Sequence, residues 1–179
     1  MPRVSDAEKQ KSHARIIEAA AALFRKKGIE TTSVAEVMKA AGMTHGGFYR
    51  HFDDKDALVR AAFASAVDKA VSDLEAGADG ARDAYIAQYL SLAHAQNRKI
   101  GCPIAALGAD VARDDGQVRD EAALAVDRVA NLLGDGDDVS SGYQRLAVLV
   151  GAITLARLVD DQTKMEDILD AASSYINHA

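Results

Sequence analysis

The chain repeats one apolar period almost from end to end. Ile16, Ile17, Ala20, Leu23 and Phe24 recur at the 3.6-residue spacing of a helix face, and Gly28 stands where a left-handed residue ends such a helix. Val34, Val37, Met38 and Ala41 follow the same period behind Ser33, a residue type that caps helix N-termini. Gly42 interrupts, Thr44 can cap a short helix over 45–51, and Asp54 can cap a long one over 54–76 through Leu58, Ala62, Val67, Val71 and Leu74. After GADG at 77–80, Tyr85, Ile86, Tyr89, Leu90 and Ala93 predict another helix, Pro103 to about Arg113 a short one, and Val118 to Leu133 a longer one. Beyond the polar loop GDGDDVSSG at 134–142, two helices are expected over about 141–159 and 163–177. Strand alternation persists nowhere. The expected fold is all-α, with about nine helices.

Charge divides the chain where the periodicity does not. The net charge is −6 overall, but residues 1–60 carry +3 and residues 61–179 carry −9. A mildly basic head on an acidic body suggests that the head alone meets a polyanion. No linker separates the two, so the helix at 54–76 is expected to belong to both; the division is drawn as a head at 1–53 and a body at 54–179. A single cysteine excludes an intramolecular disulfide framework. The N-terminus MPRVSDAEKQK has no apolar leader core, and the apolar stretch Leu146 to Ala156 falls short of the about 20 residues that span a membrane. A cytoplasmic protein without membrane contact is expected.

Chemistry concentrates in GMTHGGFYRHF at 42–52. Two short helices joined around Gly42 have the dimensions of a helix-turn-helix, whose second helix enters the major groove of DNA. Glycine inside a helix costs roughly 1 kcal/mol against alanine. A glycine facing the duplex repays this by letting the backbone approach bases and phosphates, while His45, Tyr49, Arg50 and His51 supply hydrogen bonds.

From Arg15 to Leu58 the sequence RIIEAAAALFRKKGIETTSVAEVMKAAGMTHGGFYRHFDDKDAL resembles the TetR family of bacterial transcriptional regulators. The likeness rests on the order Gly28, Thr31-Thr32-Ser33, Val37, Ala41-Gly42, Gly46, Phe48-Tyr49, His51-Phe52 and Lys55. It implies a three-helix DNA-binding head on a helical body that dimerises through its last two helices and binds a small molecule, whose arrival releases double-stranded DNA. By position, Ser33 and Thr44 would cap helices pointing at phosphate, and His45, Gly46 and Arg50 would lie nearest the bases. Tyr49 and His51 would touch backbone, Lys55 would meet a phosphate, and Phe48 and Phe52 would be core. Two departures stand out: Gly47 lacks the usual side chain, and Asp53 and Asp54 would repel phosphate near Lys55.

In the body, Tyr85, Tyr89 and His94 fall where the family places its pocket wall, with Phe63 and Cys102 as further candidates. Cys102 precedes Pro103, a residue favoured at the first helical position, so the cysteine is expected as an N-cap: a reactive thiol, or a small residue buried at a helix start. The apolar circumference of 146–156 predicts a helix covered on nearly all sides. A homodimer interface through Leu146, Leu149, Gly151, Ala152, Leu155, Ile168 and Ala172 follows as the expectation. Asp135-Gly136-Asp137-Asp138 lacks the spacing of an EF-hand, and no G-x-S-x-G, P-loop or G-x-G-x-x-G motif occurs. Neither metal nor cofactor nor enzymatic activity is expected. The expected function is a ligand-responsive repressor on a pseudo-palindromic operator. The alternatives are an all-helical enzyme or ligand carrier, and a DNA-binding activator without ligand sensing.

Overall fold

The computed structural model describes residues 6–113, 116–136 and 138–178. Residues 1–5 of the expected head and Asp137 of the acidic loop lie outside the described residues. The helices are α1 (Asp6–Lys27), α2 (Val34–Ala40), α3 (Lys55–Glu75), α4 (Ala81–Tyr89), α5 (Leu92–Gln96), α6 (Pro103–Ala112), α7 (Gln117–Leu133), α8 (Val139–Ala156) and α9 (Gln162–His178). A 3-10 turn, His45–Arg50, lies between α2 and α3. No named strand occurs among the described residues. The fold is all-α, as the periodicity requires.

Local chemistry sets the ends of the head helices. α1 carries Asp6 and Glu8 in its first turn and Arg25, Lys26 and Lys27 in its last, matching the helix dipole at both ends. Ser33 caps α2 in a complete capping box: its hydroxyl accepts from the Glu36 amide at 3.2 Å, and the Glu36 carboxylate accepts from the Ser33 amide at 3.3 Å. α2 ends in a Schellman turn, with Gly42 at φ 71°. The Met43 amide donates to the Met38 carbonyl at 2.8 Å and the Gly42 amide to that of Lys39 at 3.0 Å. Arg15 of α1 donates to the Ala41 carbonyl at the same corner. Phe24, Val37, Met38, Phe48, Phe52 and Leu58 fill the head's core.

Head and body share one element. α3 packs on α1 with one part of its surface and on α7 with another, and Leu58, Val59, Ala62, Phe63, Ala66, Val67, Val71 and Leu74 are buried along its whole length. Asp54 caps it by accepting from the Ala57 amide at 2.7 Å, as its position predicts. α7, α8 and α9 form the rest of the body. α7 and α8 approach so closely that a Cβ at Gly142 would collide with the Ala130 carbonyl.

Four expectations need correction. The segment expected as a helix over 45–51 is a 3-10 turn, closed by i to i+3 bonds such as Gly47 to Thr44 (3.0 Å) and His51 to Phe48 (2.8 Å). Two adjacent glycines weaken the α form there. Thr44 stands at the N-cap position, but its side chain makes no capping bond. The helix expected through Tyr85 and Ala93 breaks at Leu90 and Ser91. The Ser91 hydroxyl donates to the Gln88 carbonyl at 2.7 Å and accepts from the His94 amide at 3.2 Å, so it ends α4 and caps α5. Finally, Leu146, Leu149 and Ala152 face the chain's own core, where Leu149 is fully buried, and cannot present to a partner. α8 has two apolar faces, and these three residues lie on the inner one.

Candidate nucleic-acid interface and body cavity

The 3-10 turn buries one aromatic side chain and leaves its neighbours exposed. Phe48 points inward and is 1% exposed, whereas Tyr49 is 69% exposed and His45, Gly46 and Arg50 are exposed beside it. Met38 and Phe48 are both buried in the head's core, where α2 packs on the turn. A Cβ built on Gly46 meets nothing within 4 Å, so no contact within the chain requires glycine there. A Cβ built on Gly47 would make only ordinary contact, 3.6 Å from Met38 Cε, so packing within the chain does not explain the missing side chain there.

The residues expected at phosphates are arranged differently from one another. His51 is half-buried against His13 and next to Phe52, its ring 5.8 Å from that of His13. Burial, followed by His13, Lys9 and Arg50, pulls its pKa below the ordinary value, so the free ring is neutral in a cationic neighbourhood. Its Nδ1 is buried with no hydrogen-bond partner. Ser33 Oγ is engaged in its capping box, and Glu36, paired with Lys27 at 2.6 Å, already sets a carboxylate at the N-terminus of α2. The Lys55 ammonium donates to the Ile29 carbonyl at 2.7 Å. It ties the start of α3 to the α1–α2 loop rather than standing free.

A cavity of about 560 Å³ opens in the body between α3, α4, α5 and the segment leading into α6. Tyr85, Tyr89, His94 and Cys102 line it together, as expected. Phe63 does not: it is 2% exposed in the core of α3. The helical period does not distinguish an inward residue that packs from one that lines a void. Sequence reasoning missed Lys69 and Asp73, which lie four apart on α3 and share the wall, and Gln88, Asn97 and Ile100. The i, i+4 spacing of Lys69 and Asp73 was the available signal.

One side of the cavity is a tightly bonded corner. His94 Nδ1 lies 2.6 Å from the Tyr89 carbonyl, and its Nε2 accepts from the Cys102 amide at 3.1 Å. Only the neutral ring with its proton on Nδ1 satisfies both bonds. Burial pulls the His94 pKa down, in keeping with that form. Arg157 donates to the carbonyls of His94 and Ala95, each at 3.2 Å. Cys102 is the N-cap residue of α6, as its place before Pro103 predicts, but its side chain makes no capping bond. Burial first, then the neighbouring Cys102, pushes the pKa values of Tyr85 and Tyr89 up.

α6 connects this corner to the head. At its far end Asp110 Oδ2 accepts from the Ile29 amide at 3.2 Å, in the same loop whose carbonyl binds Lys55. Near the start of α6, Arg25 of α1 donates to the Lys99 carbonyl at 2.8 Å.

Residues 16–62 match the family model described as bacterial regulatory proteins, tetR family. The chain is 31% identical over 78 residues to the HTH-type transcriptional regulator YfiR of Bacillus subtilis, covering 44% of this chain and 38% of that protein. It is 43% identical over 61 residues to the HTH-type transcriptional regulator TtgR of Pseudomonas putida, covering 34% of this chain and 29% of that one. These matches thus span well under half of each relative's own length. The fold extends the likeness over the body. A TetR transcriptional regulator from Chloroflexus aurantiacus superposes with a TM-score of 0.77 at 24% identity, covering 96% of both chains. The head, residues 16–62, is thus similar in sequence to the bacterial regulatory proteins of the tetR family, and the whole chain shares the fold of a solved TetR transcriptional regulator.

Proposed function

We propose that the chain is a ligand-responsive transcriptional repressor that binds a pseudo-palindromic operator as a homodimer and is released by a small molecule. The observation that carries this reading is the outer face of the 3-10 turn. His45, Gly46, Tyr49 and Arg50 stand exposed on a turn against which α2 packs, with open space above Gly46. Such a face fits a major groove, with Arg50 and His45 directed at base edges and Tyr49 at backbone.

The dimer reading rests on a second face. Gly151, Leu155, Ala147 and Val148 lie on the outer side of α8, with Leu158 just beyond its end. Leu155 is 55% exposed and Leu158 76%. Ile168, Ala172 and the exposed Tyr175 form a matching stripe on α9. An apolar seam of two adjacent helices suits a self-complementary two-fold contact. The domain division proposed is a DNA-binding head at 1–53 and a ligand-binding, dimerising body from 54 onward, with α3 common to both.

The coupling we propose runs through α6. A ligand that displaces the Cys102 end of this helix would shift its Asp110 end against the α1–α2 loop, and through Lys55 the start of α3. A switch of this type needs a coupling of typically ~1–3 kcal/mol between the two sites. The test is a titration of the full chain against duplex DNA flanking its own gene, with random duplex as reference. Arg50→Ala should lose about 1–3 kcal/mol of preference for the flanking site. An unchanged ratio of specific to random binding would remove Arg50 from base readout, and a wild-type chain that binds neither duplex would refute the repressor reading.

A further inference from the structure

We propose that the head grips DNA with a second element, the N-terminal end of α1, where Lys9 meets the phosphate backbone beside Arg50 and His51. The inference rests on reading the head as DNA-binding and adds a further interaction surface on it.

α1 changes character along one face. Ile16, Ala20 and Phe24 are buried on it, and the same helical period continued towards the N-terminus falls on His13 and Lys9. Apolar residues would continue the stripe if this face stayed in the core. Instead the face runs out beside the turn. His13 closes the edge of the core by stacking on Phe52, with ring centroids 4.6 Å apart, and its ring lies 5.8 Å from that of His51. Lys9, one helical turn further out, is exposed. The fold thus gathers Lys9 and His13 with Arg50 and His51 from distant parts of the chain. All three neighbours are close enough to His51 to act on it electrostatically.

This gathering lacks a counter-charge. Among the described residues, the side chains of Lys9, His13 and Arg50 take part in no hydrogen bond or ion pair. Other cations of the head are committed: Arg15 to the Ala41 carbonyl, Arg25 to that of Lys99, Lys27 to Glu36 and Lys55 to the Ile29 carbonyl. Carboxylates of the head are engaged elsewhere, Glu36 with Lys27, Glu18 with Lys69 and Asp54 at the start of α3. A cationic patch left open in this way suits a polyanion from outside, and a row of phosphates supplies one. The patch is continuous with the exposed face of His45, Gly46, Tyr49 and Arg50, so a duplex seated on that face runs its backbone past α1. Backbone contacts set register and orientation and carry no sequence information. Lys9 therefore adds affinity and fixes how the head sits, while base readout stays with the turn.

The test measures binding of the full chain to the duplex flanking its gene and to random duplex over a salt series at fixed pH. Lys9→Gln should weaken both by the same factor, roughly fivefold near 0.1 M salt, and lower the slope of log affinity against log salt by about 1 for each head on the duplex. Lys9→Arg should behave as wild type. Lys11→Gln makes the same charge change two residues along and off this face, and should leave the slope unchanged. Lys9→Glu separates binding from folding: it relieves repulsion in the free chain, so the melting temperature should hold or rise while DNA affinity falls further than in Lys9→Gln. A wild-type slope in Lys9→Gln, an equal loss in Lys11→Gln, or a Lys9→Glu chain that melts early would overturn the proposal. A wild-type chain that binds neither duplex refutes the DNA reading and the grip together, whereas binding that Lys9→Gln leaves intact refutes the grip alone.

Discussion

In the proposed interface Arg50 and Gly46 occupy the same exposed turn for opposite reasons: one would supply atoms and the other would withhold them. Gly46 has no positive φ and no neighbour within 4 Å of a built Cβ, so the free chain places no demand for glycine there. Gly46→Leu should therefore keep or raise the melting temperature, since leucine costs less backbone entropy, while DNA affinity falls. If thermal denaturation and DNA titration both leave the variant like wild type, close approach at this residue is excluded. His94 gives a pH prediction. Its pKa is lowered from an ordinary value of 6.5 in the folded chain, chiefly by burial, so the unfolded chain binds the proton more readily. Its contribution is then fully present above about pH 6.5 and is lost as pH falls below that value. The stability of wild type relative to His94→Gln should shrink on acidification from pH 7.5 to 5.5, as read from paired urea titrations.

Among the elements, α6 combines the features that couple cavity and head. Asp110→Ala would leave the Ile29 amide without its acceptor, whereas Asp110→Asn keeps an oxygen in place. Amide exchange in the α1–α2 loop should accelerate about fivefold in the alanine variant, the equivalent of ~1 kcal/mol, and little in the asparagine variant. Nothing in the sequence announced this contact, because Ile29 and Asp110 are far apart in the chain and neither belongs to a local motif. Elements governed by local rules were legible. Ser33, Gly42 and Asp54 are at the helix ends their residue types predict. Legibility failed where two local preferences compete. Ser91 reads as an ordinary polar position in an amphipathic helix until its hydroxyl is seen taking the place of a helical bond. The Gly46-Gly47 pair reads as a costly α-helix until the 3-10 geometry removes the premise.

At the scale of the whole molecule, the outer apolar face of α8 and α9 calls for cover that the chain itself does not supply. Gly151→Glu should leave the monomer folded, since a Cβ at Gly151 meets nothing within 4 Å, but should place an unpaired charge in the seam. Sedimentation should show a monomer with helical content intact. A dimer of normal stability would move the interface elsewhere. The inner half of α8 was legible as core, whereas the cover expected for its outer half is not supplied by the chain, with Leu155 55% exposed. Period alone could not say which residues meet the chain's own core, so Leu146 and Leu149 were assigned to the wrong face.

The continuity of α3 has a geometric consequence for any pair of these heads. Its 21 residues make a rod about 31 Å long at 1.5 Å per residue. A tilt of about 5° at the body end carries the head end through roughly 2.7 Å, by that same length. Two heads moving symmetrically would change their separation by roughly 5 Å, more than the 3.4 Å between successive base pairs on a strand. A rotation smaller than the width of one methyl group at the cavity wall is thus enough to put two reading heads a full base pair out of phase, with no helix unfolding and no domain coming loose.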